Sequence, residues 1–113
     1  MNQDNRITDI NKVLDVITTE ELDKANKLFP QFQSRHESYA VIREEFEEAM
    51  DELQKLCNGI ENYWKACRYD KQYNADDTIR LLTYMETNCI HGVKELIQTA
   101  AMIRKAKYVE ERK

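Results

Sequence analysis

Apolar residues recur at helical spacing from the N-terminal region to Pro30. They fall three or four positions apart, as expected for one face of an α-helix. The Thr18-Thr19-Glu20-Glu21 segment has the composition of a capping box, so we predict that a second helix begins there and ends at Phe29-Pro30. The apolar residues of the first helix are Ile7, Ile10, Val13, Leu14 and Ile17.

The most regular amphipathic pattern follows a second capping box, Ser34-Arg35-His36-Glu37. Its apolar stripe consists of Tyr39, Ile42, Phe46, Ala49, Leu53 and Leu56. We expect this helix to end at Asn58-Gly59, because glycine readily adopts the left-handed conformation that ends many helices. The segment 60–69 then predicts a shorter helix that is rich in aromatic residues.

A polar run, 69–73, leads to Asn74, which is a candidate N-cap for one last long helix. Asp76 and Asp77 in the first turn suit the positive end of a helix dipole. One side of this helix carries Ile79, Leu82, Cys89, Val93, Leu96, Ala100 and Ile103. Because Ile97, Ala101 and Met102 widen the apolar surface, we expect the helix to be covered from two sides, and Gly92 to mark close packing or a kink.

These patterns predict an all-α fold, a bundle of four to five helices in a single domain over residues 1–113. Residues 1–6 are expected to be disordered and 107–113 to fray. The chain has 113 residues with only 2 Gly and 1 Pro, which leaves few places for β-turns. Since a domain this short buries a modest part of its surface, we expect oligomerisation, as a homodimer or homotetramer, to complete the core.

Charge and cysteine content restrict the classes of partner. The formal net charge of -4 is spread along the chain without a basic block, so duplex nucleic acid is an unfavourable partner. No stretch approaches the roughly 20 apolar residues of a membrane span, and the N-terminus has no apolar signal core. The 3 cysteines fit neither a disulfide framework nor paired zinc ligands. We therefore expect a soluble, cytoplasmic protein with reduced thiols and no membrane partner.

Acidic residues are concentrated beside the apolar stripe of the second capped helix. Glu45 and Glu48, at i and i+3, stand on one flank of that helix, where a cation between them would relieve their repulsion. Hard oxygen ligands suit Mg²⁺ or Mn²⁺, and the last helix offers Glu95 and Gln98, also at i and i+3. The alternative is that these acidic residues are only the solvated face of a helix.

The segments HESYAVIREEFEEA, residues 36–49, and ELIQTAAM, residues 95–102, resemble MazG-like proteins, particularly the short versions found in phages and mobile elements. That resemblance implies an all-α fold. It also implies a Mg²⁺-dependent nucleoside triphosphate pyrophosphohydrolase, which releases pyrophosphate and a nucleoside monophosphate.

The family's metal motif is Glu-Glu-x-x-Glu on one helix and Glu-x-x-Asp on another. The resemblance places Glu44, Glu45 and Glu48 in the first half and Glu95 in the second, with Glu44 or Glu45 as the catalytic base. The metal ligands it implies are Glu45, Glu48, Glu95 and Gln98. Gln98 stands where the family has Asp, which removes one negative charge, although an amide oxygen can still bind a hard cation. The interval between the two halves is also longer than in typical members.

Five further residues could contact a nucleotide. Lys94, Arg104 and Lys105 could donate charge-assisted hydrogen bonds to phosphate oxygens, although cations near a helix end are often only solvated. His36, in the first turn of its helix, could be a neutral hydrogen-bonding group or a plain surface histidine. Trp64 could stack on a nucleobase or belong to the core.

Three functions are compatible with the sequence. The leading one is a metal-dependent nucleoside triphosphate pyrophosphohydrolase. The second is a catalytically inactive nucleotide- or protein-binding helical module of a phage or mobile element, for example a counter-defence accessory protein, which Gln98 favours. The third is a structural adaptor whose apolar stripe binds a partner.

Overall fold

The computed structural model describes residues 3–113, with side chains described from residue 9 onward. Within that part of the chain there are three α-helices: α1 (Gln3–Leu28), α2 (Arg35–Arg68) and α3 (Ala75–Glu111). A single 3-10 turn, Asp70–Gln72, lies between α2 and α3. The all-α prediction is confirmed. The count of four to five helices is wrong for the described residues, because two predicted helix breaks do not occur.

The first missing break is at the predicted capping box in α1. The Thr18 hydroxyl donates to the backbone carbonyl of Leu14 at 2.7 Å, and the Thr19 hydroxyl donates to that of Asp15 at 3.0 Å. Both hydroxyls therefore bond back to the preceding turn of a continuing helix. The predicted end near Phe29-Pro30 is confirmed, since α1 ends at Leu28.

The second missing break is at Gly59, where α2 continues to Arg68. No residue in the described chain, Gly59 included, has a positive φ, so this glycine does not form a left-handed cap. A Cβ atom built on Gly59 would lie 2.7 Å from the Cγ atom of Met85. Gly59 thus permits a close approach between α2 and α3, which overrides its cost within a helix.

The predicted caps at the start of α2 and α3 are confirmed. The Ser34 hydroxyl accepts from the Glu37 backbone N–H at 3.1 Å. Asn74 Oδ1 accepts from the Asp77 N–H at 2.8 Å, and Asp77 Oδ2 accepts from the Asn74 N–H at 3.3 Å. Each helix start therefore satisfies backbone donors that have no partner within the helix.

The chain divides into two compact units, with boundaries inside α2 and α3. Unit 1 comprises Met1–Phe46 and Leu96–Lys113, and unit 2 comprises Glu47–Glu95. In unit 1, a small apolar core is formed by Leu22, Phe32, Ala101 and Met102, with Ala25, Val41, Ile42 and Ala106 packed against it. The prediction of a single domain over 1–113 stays a prediction.

Unit 2 contains an antiparallel pair of helices. Gly59 lies against Met85 and Glu52 lies against Gly92, so residue numbers fall on α3 as they rise on α2. The residues buried between the two helices are small or polar: Ala49, Gly59, Ala66, Asn88 and Gly92. Glu52, Gly59 and Ala66 recur at intervals of seven on α2, and Met85 and Gly92 do so on α3, as in a coiled-coil seam. Within this chain, Ile79 and Val93 of the α3 stripe are 58% and 47% exposed. That α3 is covered from two sides stays a prediction.

Predictions for the two ends of the chain have different outcomes. Of the segment 1–6, expected to be disordered, residues 1 and 2 lie outside the described structure, and residues 3–6 are described only as helical backbone in α1. The fraying of 107–113 stays a prediction, since α3 extends through Glu111. Among the described residues, no helix has the length and apolar character that crossing a bilayer requires.

Candidate functional site

Two carboxyl groups meet across the helix pair of unit 2. Glu48 on α2 and Glu95 on α3 are joined by a side-chain hydrogen bond. That bond, together with burial and the negative charges of Glu95 and Asp51, raises the pKa of Glu48 above its ordinary value. The two carboxyl groups therefore face each other across the helix pair, and each makes a negative charge on the other less favourable.

Glu45 precedes Glu48 by one turn of the continuous helix α2. In unit 2, one carboxylate oxygen of Glu48 lies within 4.8 Å of one carboxylate oxygen of Glu95. Oxygens on opposite sides of a Mg²⁺ ion are about 4.2 Å apart, given Mg–O distances near 2.1 Å. The donor set and its spread therefore fit one hard divalent cation. Glu45 and Glu95 are half-buried, whereas Glu48 is exposed, so a cation here would keep access to water.

Gln98, the predicted fourth ligand, lines a cavity of about 260 Å³ in unit 1 together with Glu45. Glu21 and Lys24 of α1 line the same cavity, and their side chains form an ion pair at 3.5 Å. Sequence reasoning missed both residues, because nothing in the pattern of α1 relates them to α2 or α3. The cavity thus places an amide, two carboxyl groups and an ammonium group around one space.

Glu44, a predicted catalytic base, is exposed on α2. It follows the exposed Arg43 and precedes the half-buried Glu45. Adjacent helix positions point about 100° apart, so Glu44 faces away from the side on which Glu45 lies. Between the two predicted bases, the geometry favours Glu45.

The predicted phosphate-binding cations have different surroundings. Lys94 is exposed and adjoins Glu95 in the sequence. In unit 1, Arg104 donates to Asp15 at 2.8 Å and to Thr19 at 2.9 Å, and so binds α3 to α1. Lys94 is thus the exposed cation nearest in sequence to the carboxylate pair, while Arg104 is engaged in packing.

Lys105 is buried beneath the end of α1. Its ammonium group donates to the backbone carbonyl of Phe29 and lies 4.7 Å from the centre of the Phe32 ring. Burial lowers the pKa of Lys105, and the negative charge of Glu37 partly offsets that effect. Lys105 and Glu37 line an otherwise apolar cavity of about 370 Å³. A cation near the last carbonyls of a helix stabilises the helix end, and this contact accounts for the burial of Lys105.

His36 and Trp64 lie far along α2 from the carboxylates. His36 precedes Glu45 by about 14 Å of helix, and Trp64 follows Glu48 by about 24 Å, at 1.5 Å per residue. Both side chains are exposed, and Trp64 is 58% exposed. The structure therefore does not bring either residue to the carboxylates of its own chain.

Glu52 and His91 form a second contact between α2 and α3 that sequence reasoning missed. His91 Nδ1 lies 4.0 Å from Glu52 Oε2. That oxygen is buried and has no hydrogen-bond partner among the described residues. A signal existed, since Glu52 follows Glu45 by seven residues and a seven-residue repeat places both on the same face.

Comparison of the chain with family models, with curated proteins and with solved structures finds no match. Carboxylates with access to water can bind a hard divalent cation, and a carboxylate beside such a cation can accept a proton from water.

Proposed function

We propose that this protein is a Mg²⁺- or Mn²⁺-dependent nucleoside triphosphate pyrophosphohydrolase. The observation that carries the proposal is the approach of two carboxylates in unit 2, where oxygens of Glu48 and Glu95 lie within 4.8 Å of each other. Two carboxylates held this close repel each other, and a divalent cation between them would relieve that repulsion. The resemblance of residues 36–49 and 95–102 to MazG-like proteins supports the choice of reaction.

Glu48 and Glu95 would hold the cation, and Glu45 and Gln98 are the further ligands that the resemblance to MazG-like proteins implies. When bound, Mg²⁺ neutralises triphosphate charge and polarises a phosphoryl oxygen. Lys94, which is exposed and precedes Glu95 in the sequence, would donate to phosphate oxygens. Arg104 and Lys105 remain proposed contacts only if the nucleotide displaces their present partners.

Hydrolysis needs a base, and Glu45 or Glu44 would provide it. The carboxylate takes a proton from water as the water oxygen bonds to the α-phosphorus. The bond from the α-phosphorus to its bridging oxygen breaks, and its electron pair leaves with pyrophosphate. The products are a nucleoside monophosphate and pyrophosphate, so each atom of the water remains in the products or on the base.

The base-stacking role of Trp64 is compatible with an oligomer rather than with one chain. Trp64 lies about 24 Å along α2 from Glu48, beyond the reach of a nucleotide bound at that residue. We therefore propose a homodimer or homotetramer in which Trp64, and His36 from the other direction, could approach the carboxylates of another copy.

The second candidate is a nucleotide-binding module without catalysis. Two observations favour it: Gln98 lowers the negative charge of the ligand set, and Arg104 is paired with Asp15. Such a module would bind a nucleotide with metal through the same carboxylates but release no pyrophosphate. Its biological setting would be that of a phage or mobile-element accessory protein.

The deciding experiment measures pyrophosphate release from ribo- and deoxyribonucleoside triphosphates with Mg²⁺ or Mn²⁺. We expect metal-dependent release that falls about 100-fold or more in Glu48→Gln and Glu95→Gln variants. Glu61→Gln, on the same helix and exposed, is the matched control and should retain activity. Gln98→Asp should raise activity by adding a charged ligand.

Either of two results would contradict the enzymatic proposal. The first is release that does not depend on metal or on Glu48. The second is no release by a folded protein, or by its Gln98→Asp variant, across the panel. If a protein that releases no pyrophosphate still binds a metal-nucleotide complex through Glu48, the protein is a nucleotide-binding module.

A further inference from the structure

The outer side of unit 2 carries a continuous apolar face, which we call the outer face. Its members are spaced three or four residues apart on each helix, apart from one position taken by Glu86. On α2 they are Met50, Leu53, Cys57, Ile60, Trp64 and Cys67, and on α3 they are Ile79, Leu82, Cys89 and Val93. All of them are exposed, and Ile60 and Trp64 are 50% and 58% exposed.

Both stripes of the outer face lie on the same side of the helix pair. On α2, Leu53 follows the seam residue Glu52 by one position. On α3, Val93 follows the seam residue Gly92 by one position. In an antiparallel pair, positions with the same offset from the seam lie on the same side, as e and e′ do in an antiparallel coiled coil. Tyr84 lies on the opposite flank of α3, about 165° from the stripe by helix geometry.

Large apolar side chains are therefore outside the helix pair and small or polar ones are inside it. The seam buries Ala49, Gly59 and Asn88, whereas Leu82 and Val93 on the outer face are 42% and 47% exposed. Burial of apolar area is the main favourable term in folding, and a seam of this composition supplies little of it. The outer face holds the apolar area that the seam lacks.

The solvent-accessible surface area of the chain is larger than that of a compact monomer of the same mass. The chain exposes 8850 Å², whereas a compact monomer of 13.5 kDa exposes about 6,500 Å² by the usual scaling. The excess of about 2,300 Å² exceeds the roughly 800 Å² per partner that a standard stable interface buries. The chain as a whole therefore exposes more than the area that one standard interface covers.

We infer that the outer face is the self-association surface of this protein and that a second copy covers it. A two-fold contact puts the same patch of each copy against the other, so equal apolar stripes meet without any further partner. The three- and four-residue spacing suits knobs-into-holes packing of two helix pairs as a four-helix arrangement. This inference locates the proposed oligomer on particular residues and does not depend on nucleotide hydrolysis.

The test is the mass of the full-length protein by sedimentation velocity from low to high micromolar concentration. The wild-type chain should sediment as a dimer or a larger even-numbered oligomer. Ile60→Glu and Val93→Glu place a charge in the outer face and should shift the protein to monomer. Tyr84→Glu is the matched control, because Tyr84 is 53% exposed on the opposite flank, and it should associate as wild type does.

Two further measurements separate weakened association from loss of folding. Glu86→Leu removes the charge from the α3 stripe and should strengthen association at least tenfold, equivalent to about 1.4 kcal/mol. In the wild-type protein, Cys57, Cys67 and Cys89 all lie on the outer face, so alkylation of the three thiols should slow as concentration rises.

The inference is overturned by a wild-type chain that stays monomeric throughout the concentration range. It is equally overturned by association that Tyr84→Glu abolishes while Ile60→Glu and Val93→Glu leave it intact. A stable complex with a different protein, formed by a monomeric chain through the outer face, would assign this surface to that partner and would also overturn it.

Discussion

The two glycines of the helix pair provide a sharp test of how closely α2 and α3 approach. Gly59 and Gly92 are both buried in helices, yet their surroundings differ. A Cβ on Gly59 would lie 2.7 Å from Met85 Cγ, which is shorter than any ordinary contact. A Cβ on Gly92 would lie 3.8 Å from Glu52 Cβ, which is normal van der Waals contact.

The same substitution should therefore have opposite effects at the two positions. Replacing a helical glycine by alanine stabilises by about 1 kcal/mol through backbone entropy, and this gain applies in full to Gly92→Ala. At Gly59 the added methyl group displaces Met85, and such overpacking costs about 1–3 kcal/mol. We expect Gly59→Ala to lower the free energy of unfolding by up to about 2 kcal/mol after the entropy gain is subtracted.

The assay is urea unfolding followed by circular dichroism, at one protein concentration, because association would shift the midpoint. The two variants should differ by about 1–3 kcal/mol, or several degrees in melting temperature. Adding Met85→Ala should make Gly59→Ala less harmful than it is in the wild-type background. If Gly59→Ala stabilises the protein as much as Gly92→Ala does, then α2 and α3 do not approach closely at Gly59.

Three further predictions concern charges and caps. The pKa of Glu48 is raised above its ordinary 4.5, so the contribution of Glu48 to stability is complete at low pH and is lost as pH rises through the raised value. Glu95→Gln should lower the pKa of Glu48 in an NMR titration. An unchanged pKa would exclude the hydrogen bond between the two residues. Hydrogen bonds from Arg35 and then Lys113 lower the pKa of Glu110 from 4.5 to about 2, so its contribution is lost as pH falls through that interval. Arg35→Met should return the Glu110 titration toward 4.5, whereas a titration that stays near 2 would mean that another group holds the carboxylate. Asn74→Ala removes the α3 cap and should cost about 1 kcal/mol of unfolding free energy; no change in urea midpoint would show that the cap contributes nothing.

The sequence predicted local structure where local chemistry decides it. Ser34 and Asn74 cap α2 and α3 as expected, because side-chain oxygens at those positions reach nearby N–H groups. The predicted helix ends at Thr18 and Gly59 were wrong. In a continuing helix, the Thr18 hydroxyl donates to the carbonyl of Leu14, and Gly59 permits close helix packing. Whether a glycine ends a helix or permits close packing depends on the neighbouring helix, here on Met85, which the local pattern does not contain.

Apolar periodicity also identified the stripes correctly but not what they face. The stripe with Leu53 and Val93 is exposed, and the seam instead follows a seven-residue repeat of small and polar residues. For the site, i and i+3 spacing brought Glu45 and Glu48 together, and the MazG-like motif paired them with Glu95. Contacts from α1, such as Lys24 beside the cavity that Glu45 lines, depend on tertiary packing and left no sequence signal.

Electron paramagnetic resonance of Mn²⁺ measures whether the carboxylates Glu45, Glu48 and Glu95 hold a divalent cation as proposed. Free Mn²⁺ loses its sharp signal on binding, so titration of the metal into the protein gives the number and affinity of bound ions. We expect saturable binding that Glu48→Gln and Glu95→Gln weaken at least tenfold, or about 1.4 kcal/mol. The Glu61→Gln control, at an exposed position, should bind as wild type does. Binding that is absent, or equally strong in all three variants, would contradict a metal site at these carboxylates.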